Sequence, residues 1–244
     1  MRPPYIGVTG FMQRSEVSAV LDGLSGRGDH QLMIGVLASS KTLSGARNKW
    51  PNRYPPVEDI AGVFPPDRRT VNLIHYATDD PPTLSEQLER LIRLGGEWLD
   101  GFQLNIRWPE PGTIPAMPKG MRIVLQLGPQ ALKDASGPGD VAARLDAYRG
   151  RITDVLVDMS GGLGVPIDTD AAQAYVQAIC DRHPRIGIGV AGGLSTETID
   201  RLAPLVSRFP FLSMDAEGRL RTEDDELDRS KAKAYVAAAT ALFK

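Results

Sequence analysis

The segment Val155-Leu-Val-Asp-Met-Ser-Gly-Gly-Leu-Gly-Val165 carries a strand-forming run into a carboxylate, Asp158, and then directly into a glycine-rich turn. The segment Ile186-Gly-Ile-Gly-Val-Ala-Gly-Gly-Leu-Ser195 repeats the arrangement. A strand, a Gly-Gly turn and a helix start let backbone N–H groups close around a phosphate or similar anion. Asp158 therefore stands beside a candidate anion cradle, where a carboxylate suits general acid or base work. The plainer alternatives are tight turns without a ligand, and an aspartate that caps the following helix.

Such a constellation needs elements to hold it. Short apolar runs bounded by Gly, Pro, Asn or Asp predict strands at Tyr5–Thr9, Gln31–Ala38, Thr70–Tyr76, Gly101–Ile106, Arg122–Leu127, Thr153–Asp158, Ile186–Val190 and Phe211–Met214. Helical periodicity predicts helices near Ser15–Leu24, Val57–Phe64, Leu84–Leu94, Asp140–Tyr148, Thr169–Arg182, Thr196–Val206 and Leu227–Leu242. After the fourth strand, Pro109, Pro111, Pro115 and Pro118 leave room for barely a turn. Eight strand–helix units without a linker predict a single α/β domain, a (β/α)8 TIM barrel spanning 1–244. An open doubly wound sheet usually has its glycine turn after the first strand. Here the turns follow strands 6 and 7, which favours the barrel. Its chemistry would sit at the C-terminal strand ends, among Thr9, Ser39 to Lys41, His75, Asn105 to Trp108, Gln126, Asp158, Gly192 and Asp215.

Composition narrows the function. The net charge is −2, so no basic surface argues for nucleic acid or an anionic membrane. One cysteine, Cys180, excludes an internal disulfide framework and fits a reducing compartment. No apolar run approaches a membrane span, and the start Met1-Arg-Pro-Pro-Tyr-Ile-Gly7 has no apolar signal region. A cytoplasmic protein, monomer or homodimer, is expected.

The motifs, taken in order, resemble the phosphoribosylanthranilate isomerases, TIM-barrel enzymes of tryptophan biosynthesis. Gly7-Val-Thr-Gly10 with Arg14-Ser-Glu-Val17 is similar to their opening Lys-Ile-Cys-Gly strand and first helix. Trp50-Pro-Asn-Arg-Tyr-Pro-Pro56 resembles their Ser-Pro-Arg-Tyr loop, and Phe102-Gln-Leu-Asn105 their Val-Gln-Leu-His strand. Asp158 with Gly161-Gly-Leu-Gly164 is similar to their Asp and Gly-Gly-Thr-Gly turn. Ala191-Gly-Gly-Leu194 is the same as theirs. The family rearranges a 1-amino-aldose to a 1-amino-ketose, using an acid at the ring oxygen and a base at the C2 proton. The resemblance implies a small phosphorylated substrate and no cofactor. It implies Asp158 as the acid, and Arg53 on the substrate's aromatic carboxylate with Gln103 and Asn105 also facing substrate. It implies phosphate at the N–H groups of Gly162, Gly164, Gly192 and Gly193.

Three departures stand out. The family's base cysteine is Thr9 here, a poor base without an activating partner, and its lysine is Gly7. Cys180 lies on an outer helix and cannot substitute. After strand 8, hydroxyls give way to Ser213-Met-Asp-Ala-Glu-Gly218. Either Asp215 and Glu217 turn away from a phosphate, or they meet a hydroxylated or cationic group, or they join Asp158 on a divalent metal, although no compact ligand spacing marks a metal site. Finally, the loop Ser39–Pro56 is long and basic, with Lys41, Arg47, Lys49 and Arg53, and reads as a mobile lid. The missing base would then be Asp215 or His75, and Thr9 is also a catalytic candidate; a packed His75 and a Thr9 on the barrel wall or against substrate are the plainer readings. The alternatives are a barrel lyase, aldolase or epimerase on an anionic sugar-like molecule, and a barrel that binds a ligand without turning it over.

Overall fold

The structure is a computed structural model and describes residues 2–24, 29–161 and 165–243. Eight strands, β1 (Tyr5–Thr9), β2 (Gln31–Ser39), β3 (Thr70–Ala77), β4 (Gly101–Leu104), β5 (Arg122–Leu127), β6 (Asp154–Asp158), β7 (Gly187–Ala191) and β8 (Ser213–Ala216), pair in parallel with their sequence neighbours. β8 closes on β1 through Gly7 opposite Asp215, so the chain is a single (β/α)8 TIM barrel.

Strand alternation sorts side chains into two cores. Tyr5, Met33, Val71, Leu73, Val124, Leu156 and Ala191 fill the barrel interior. The intervening residues, such as Ile6, Val8, Ile34 and Ile74, pack outward against the helices. The main helices are α1 (Arg14–Leu21), α2 (Ser40–Ser44), α3 (Ile60–Val63), α4 (Leu84–Gly95), α5 (Pro129–Lys133), α6 (Pro138–Arg144), α7 (Thr169–Arg182), α8 (Ala203–Arg208) and α9 (Arg229–Ala241). On α4, Leu84, Leu88 and Leu91 are fully buried, and each stabilises the packing by roughly 1.5–3 kcal/mol. Between β4 and β5 there is only a 3-10 turn at Pro111–Thr113, as the prolines dictate.

Several elements differ from the sequence expectation. α2 and α5 are additional helices, and the Val57–Phe64 helix opens as a 3-10 turn. The helix after β7 is divided into a 3-10 turn, Ile199–Leu202, and then α8, because Pro204 lacks the N–H that would continue the ladder. β8 runs two residues later than predicted. Asp215 reads as a strand end in the sequence, but its carboxylate is inside the barrel with polar partners. The 39–56 loop is tied down rather than free. Ser39 caps α2, Asn48 bridges Ser39 and Thr42, and Asn52 donates to the Asp224 carbonyl at 2.9 Å.

At the N-terminal end of the barrel, Arg122 and Asp154 form a buried bidentate ion pair, each side chain only 3% exposed. The Arg122 guanidinium lies 4.8 Å from the Tyr5 ring centre. No helix among the described residues is long and apolar enough to cross a membrane.

Candidate active site

The C-terminal strand ends carry a connected polar layer. Asp158, the last residue of β6, accepts at Oδ1 from the Ser160 N–H (3.0 Å), the Ser160 hydroxyl (3.0 Å) and the Gly161 N–H (3.1 Å). At Oδ2 it accepts from Gln126 Nε2 at 2.9 Å. Gln126 Oε1 accepts in turn from Gln103 Nε2 at 3.1 Å, and Gln103 Nε2 also reaches Asp215 Oδ2 at 2.9 Å. Thr9 Oγ1 donates to Asp215, 3.0 and 3.2 Å from its two oxygens. Two carboxylates, on β6 and β8, are thus joined across the barrel by two amides.

Two glycines make this layer possible. A β-carbon on Gly35 would sit 2.4 Å from Thr9 Oγ1, and one on Gly7 would sit 2.8 Å from Asp215 Oδ1. A side chain at position 7 is incompatible with the place that Asp215 occupies. The threonine on β1 and the aspartate on β8 are therefore parts of one arrangement.

Burial raises the pKa of Asp215 to about 7, with the Glu217 and Asp158 charges adding to the rise and the Gln103 and Thr9 hydrogen bonds opposing it. The native state then holds this proton more tightly than the unfolded chain does. Its contribution to stability is fullest below the unfolded carboxylate pKa, falls as pH rises from about 4 to about 7, and is level above that. Asp215→Asn should accordingly be more stable than the parent at pH 8, by up to about 4 kcal/mol, with the gap closing towards pH 4. Urea denaturation at the two pH values measures it, and an equal gap at both would contradict the shift.

His75 on β3 is 5% exposed, and burial lowers its pKa against the pull of Glu217 and Asp158, so the ring is neutral near pH 7. Its Nδ1 is buried without a hydrogen-bond partner. It borders two adjoining cavities. One, about 140 Å3, is lined by Leu37, Trp50, Arg53, Tyr54, His75, Ala77, Asn105, Gln126, Asp158, Gly161 and Glu217. The other, about 40 Å3, lies against the Gly192–Gly193 turn, Asp158, Ser160, Asp215, Glu217 and Arg219. Gly192 (φ 139°) and Gly193 (φ 53°) take backbone angles that favour glycine. Thr198 Oγ1 fixes the turn by donating to the Gly193 carbonyl at 2.8 Å.

The sequence-predicted residues fall into three groups. Asp158, Asp215, His75, Asn105, Arg53, Gly192 and Gly193 border the cavities. Thr9 and Gln103 are fully buried one layer beneath, where they hold Asp215. Gly162 and Gly164 lie outside the described residues. Cys180 is on α7, away from the strand ends, as expected. Among the described residues, no group of three or more His, Cys, Asp or Glu side chains is placed to hold a metal ion.

Arg53 has protein partners. Its Nε lies 2.9 Å from both Asp225 oxygens, and its terminal nitrogens reach Asp225 at 2.5 Å and Glu217 at 2.7 Å. Asp225 sits at φ 63° in a turn, and this loop from β8 meets the 39–56 loop over the end of β1. Beneath them, Arg221 is a buried cation that sequence reasoning missed. It donates to the carbonyls of Thr9 (3.2 Å) and Gly10 (3.1 Å). Gly10, at φ 99°, leaves room for it, since a β-carbon there would fall 1.5 Å from the guanidinium. A glycine closing β1 is the only sequence sign of that arginine. Gln126 stood among the strand-end residues, but its link to Asp158 depends on the pairing of β5 with β6.

A larger cavity, about 870 Å3, opens at the N-terminal end beside Arg2, Arg149, Arg182 and Arg185. Arg149 and Arg182 pair there with Asp146. The inward carboxylates of the polar layer all lie at the other end, where barrel chemistry is built.

No protein-family model matches the chain, and no curated protein matches it in sequence. Solved structures do. The phosphoribosyl anthranilate isomerase of Thermus thermophilus is 16% identical, with 98% of this chain and 99% of that chain covered and a TM-score of 0.66. The Thermotoga maritima enzyme is 14% identical over 98% and 99%, also with a TM-score of 0.66. The barrel is similar to that of the phosphoribosylanthranilate isomerases. A further structure of such an enzyme, 15% identical with 98% and 99% coverage and a TM-score of 0.65, holds reduced 1-(o-carboxyphenylamino)-1-deoxyribulose 5-phosphate. The catalytic domain of a Pyrococcus furiosus chitinase also superposes, at 12% identity, 98% and 95% coverage and a TM-score of 0.59. Identities this low establish the fold alone.

Proposed function

We propose that this barrel is an acid–base isomerase for a small phosphorylated aminosugar. The observation that carries the reading is the pair of inward carboxylates, Asp158 and Asp215, joined through Gln126 and Gln103 beneath one cavity. In an aldose–ketose rearrangement, Asp158 gives a proton to the ring oxygen as the C1–O bond breaks. Asp215 then removes the C2 proton from the resulting iminium, leaving a neutral enaminol that tautomerises to the ketose. A base with a pKa near the working pH combines availability with proton affinity. Thr9 takes the place of the family's base on β1, and its hydroxyl leads directly to Asp215. The phosphate would lie at the Gly192–Gly193 turn. Asp215 and Glu217 border the same small cavity as that turn, with Asp215 held by Thr9 and Gln103 and Glu217 matched by Arg53. The similar isomerase barrels support this reading.

The test is turnover of phosphoribosylanthranilate and of aminosugar phosphates as a function of pH. The rate should rise through a limb near pH 7 that Asp215→Asn removes. Folded protein that turns over none of them contradicts the proposal, and activity on phosphoribosylanthranilate would place the chain in tryptophan biosynthesis. Arg53, already held by two carboxylates, favours a second reading in which the substrate lacks an aromatic carboxylate.

A further inference from the structure

The cavity beside Asp158 has a definite chemical character. Its volume of about 140 Å3 suits one six-membered ring or a group of that size. Its arginine, Arg53, is matched by Asp225 on one edge and Glu217 on another, with side-chain exposures of 15%, 30% and 20%. Two carboxylates already face its single positive charge, so a ligand carboxylate would compete with them for it. It would also bring a further negative charge beside Asp158 and Glu217, where like charges repel. A hydroxyl or amine displaces nothing. It meets acceptors in Asp158 and Glu217, and the His75 ring borders the same cavity with its Nδ1 buried and without a hydrogen-bond partner. Trp50 and Tyr54 add aromatic surface, and Arg53 stacks 5.1 Å from the Trp50 ring centre.

We propose that this cavity receives a hydroxyl- or amine-bearing, carboxylate-free part of the substrate, bound between Asp158, Glu217 and His75 and against the Trp50 and Tyr54 rings. The proposal rests on the acid–base reading above and narrows its substrate to aminosugar phosphates whose amino substituent carries no acid group. Glu217 and Asp225 act as built-in occupants of Arg53 and select against carboxylates.

A matched pair of ligands tests it. Reduced 1-(o-carboxyphenylamino)-1-deoxyribulose 5-phosphate and its phenylamino counterpart without the carboxyl group differ only at the group in question. Calorimetric titration of the wild-type protein should show the carboxyl-free ligand binding at least roughly tenfold more tightly. In E217Q/D225N, which frees Arg53, the preference should narrow or reverse, with circular dichroism confirming the fold. Tighter wild-type binding of the carboxyl-bearing ligand, lost in Arg53→Gln, overturns the proposal. So does failure of folded wild-type protein to bind either ligand, and so does an unchanged preference in a folded double variant. These are binding measurements. Failure of the acid–base reading would instead appear as absent turnover or a missing pH limb.

Discussion

Asp158→Asn should lower kcat/KM by about 10²–10⁴-fold, the range expected for removal of a positioned general acid, while the barrel remains folded. The asparagine carbonyl can still accept from Ser160 and Gly161, which keeps the turn after β6 in place. The new amide, however, faces the NH2 group of Gln126. Relief comes if Gln126 and then Gln103 rotate, which turns the Gln103 carbonyl towards Asp215. Asp215 would then keep its proton in order to donate. The variant should therefore lose turnover and also shift its residual pH limb to higher pH. Steady-state rates across pH, with circular dichroism as a control, measure both effects. Retention of most of the parental rate would remove Asp158 from the chemistry.

Asp154→Ala should destabilise the protein by about 3–5 kcal/mol, because it leaves the Arg122 guanidinium buried without its counter-charge. For a domain of this size that is a fall in Tm of roughly 10 °C. Arg122 would keep only its bond to the Pro3 carbonyl at 3.0 Å and its contact with Tyr5. Replacing both partners, as in R122M/D154L, should recover most of the loss, since apolar residues of similar volume are tolerated where an unpaired ion is not. Scanning calorimetry of the single and double variants separates the outcomes. A small loss in the single variant would show that water reaches this end of the barrel.

The strands and the barrel were legible in the sequence because each strand is a short apolar run with sharp Gly, Pro or Asp boundaries. The expected bounds of β1, β5 and α7 match those observed. Where bounds moved, local rules met tertiary ones. Pro204 divides a helix that periodicity would continue, and Asp215 extends β8 because its partners are on β1 and β4. Asp158 beside a glycine turn was visible for the same reason as the strands, since strand, acid and turn are contiguous.

The sequence by itself determined a (β/α)8 barrel, a carboxylate at the end of β6, a second glycine turn on β7 and a threonine at the end of β1. These depend on residues near one another along the chain. Only the tertiary structure decided what they work with. Closing β8 onto β1 brings Asp215 against Thr9, in space that Gly7 and Gly35 leave for the two side chains. It links Asp158 to Asp215 through Gln126 and Gln103, and it occupies Arg53 with Glu217 and Asp225. Such pairings join residues as far apart as Thr9 and Asp215, and hydrophobic periodicity carries no record of which polar side chains will meet when the barrel closes.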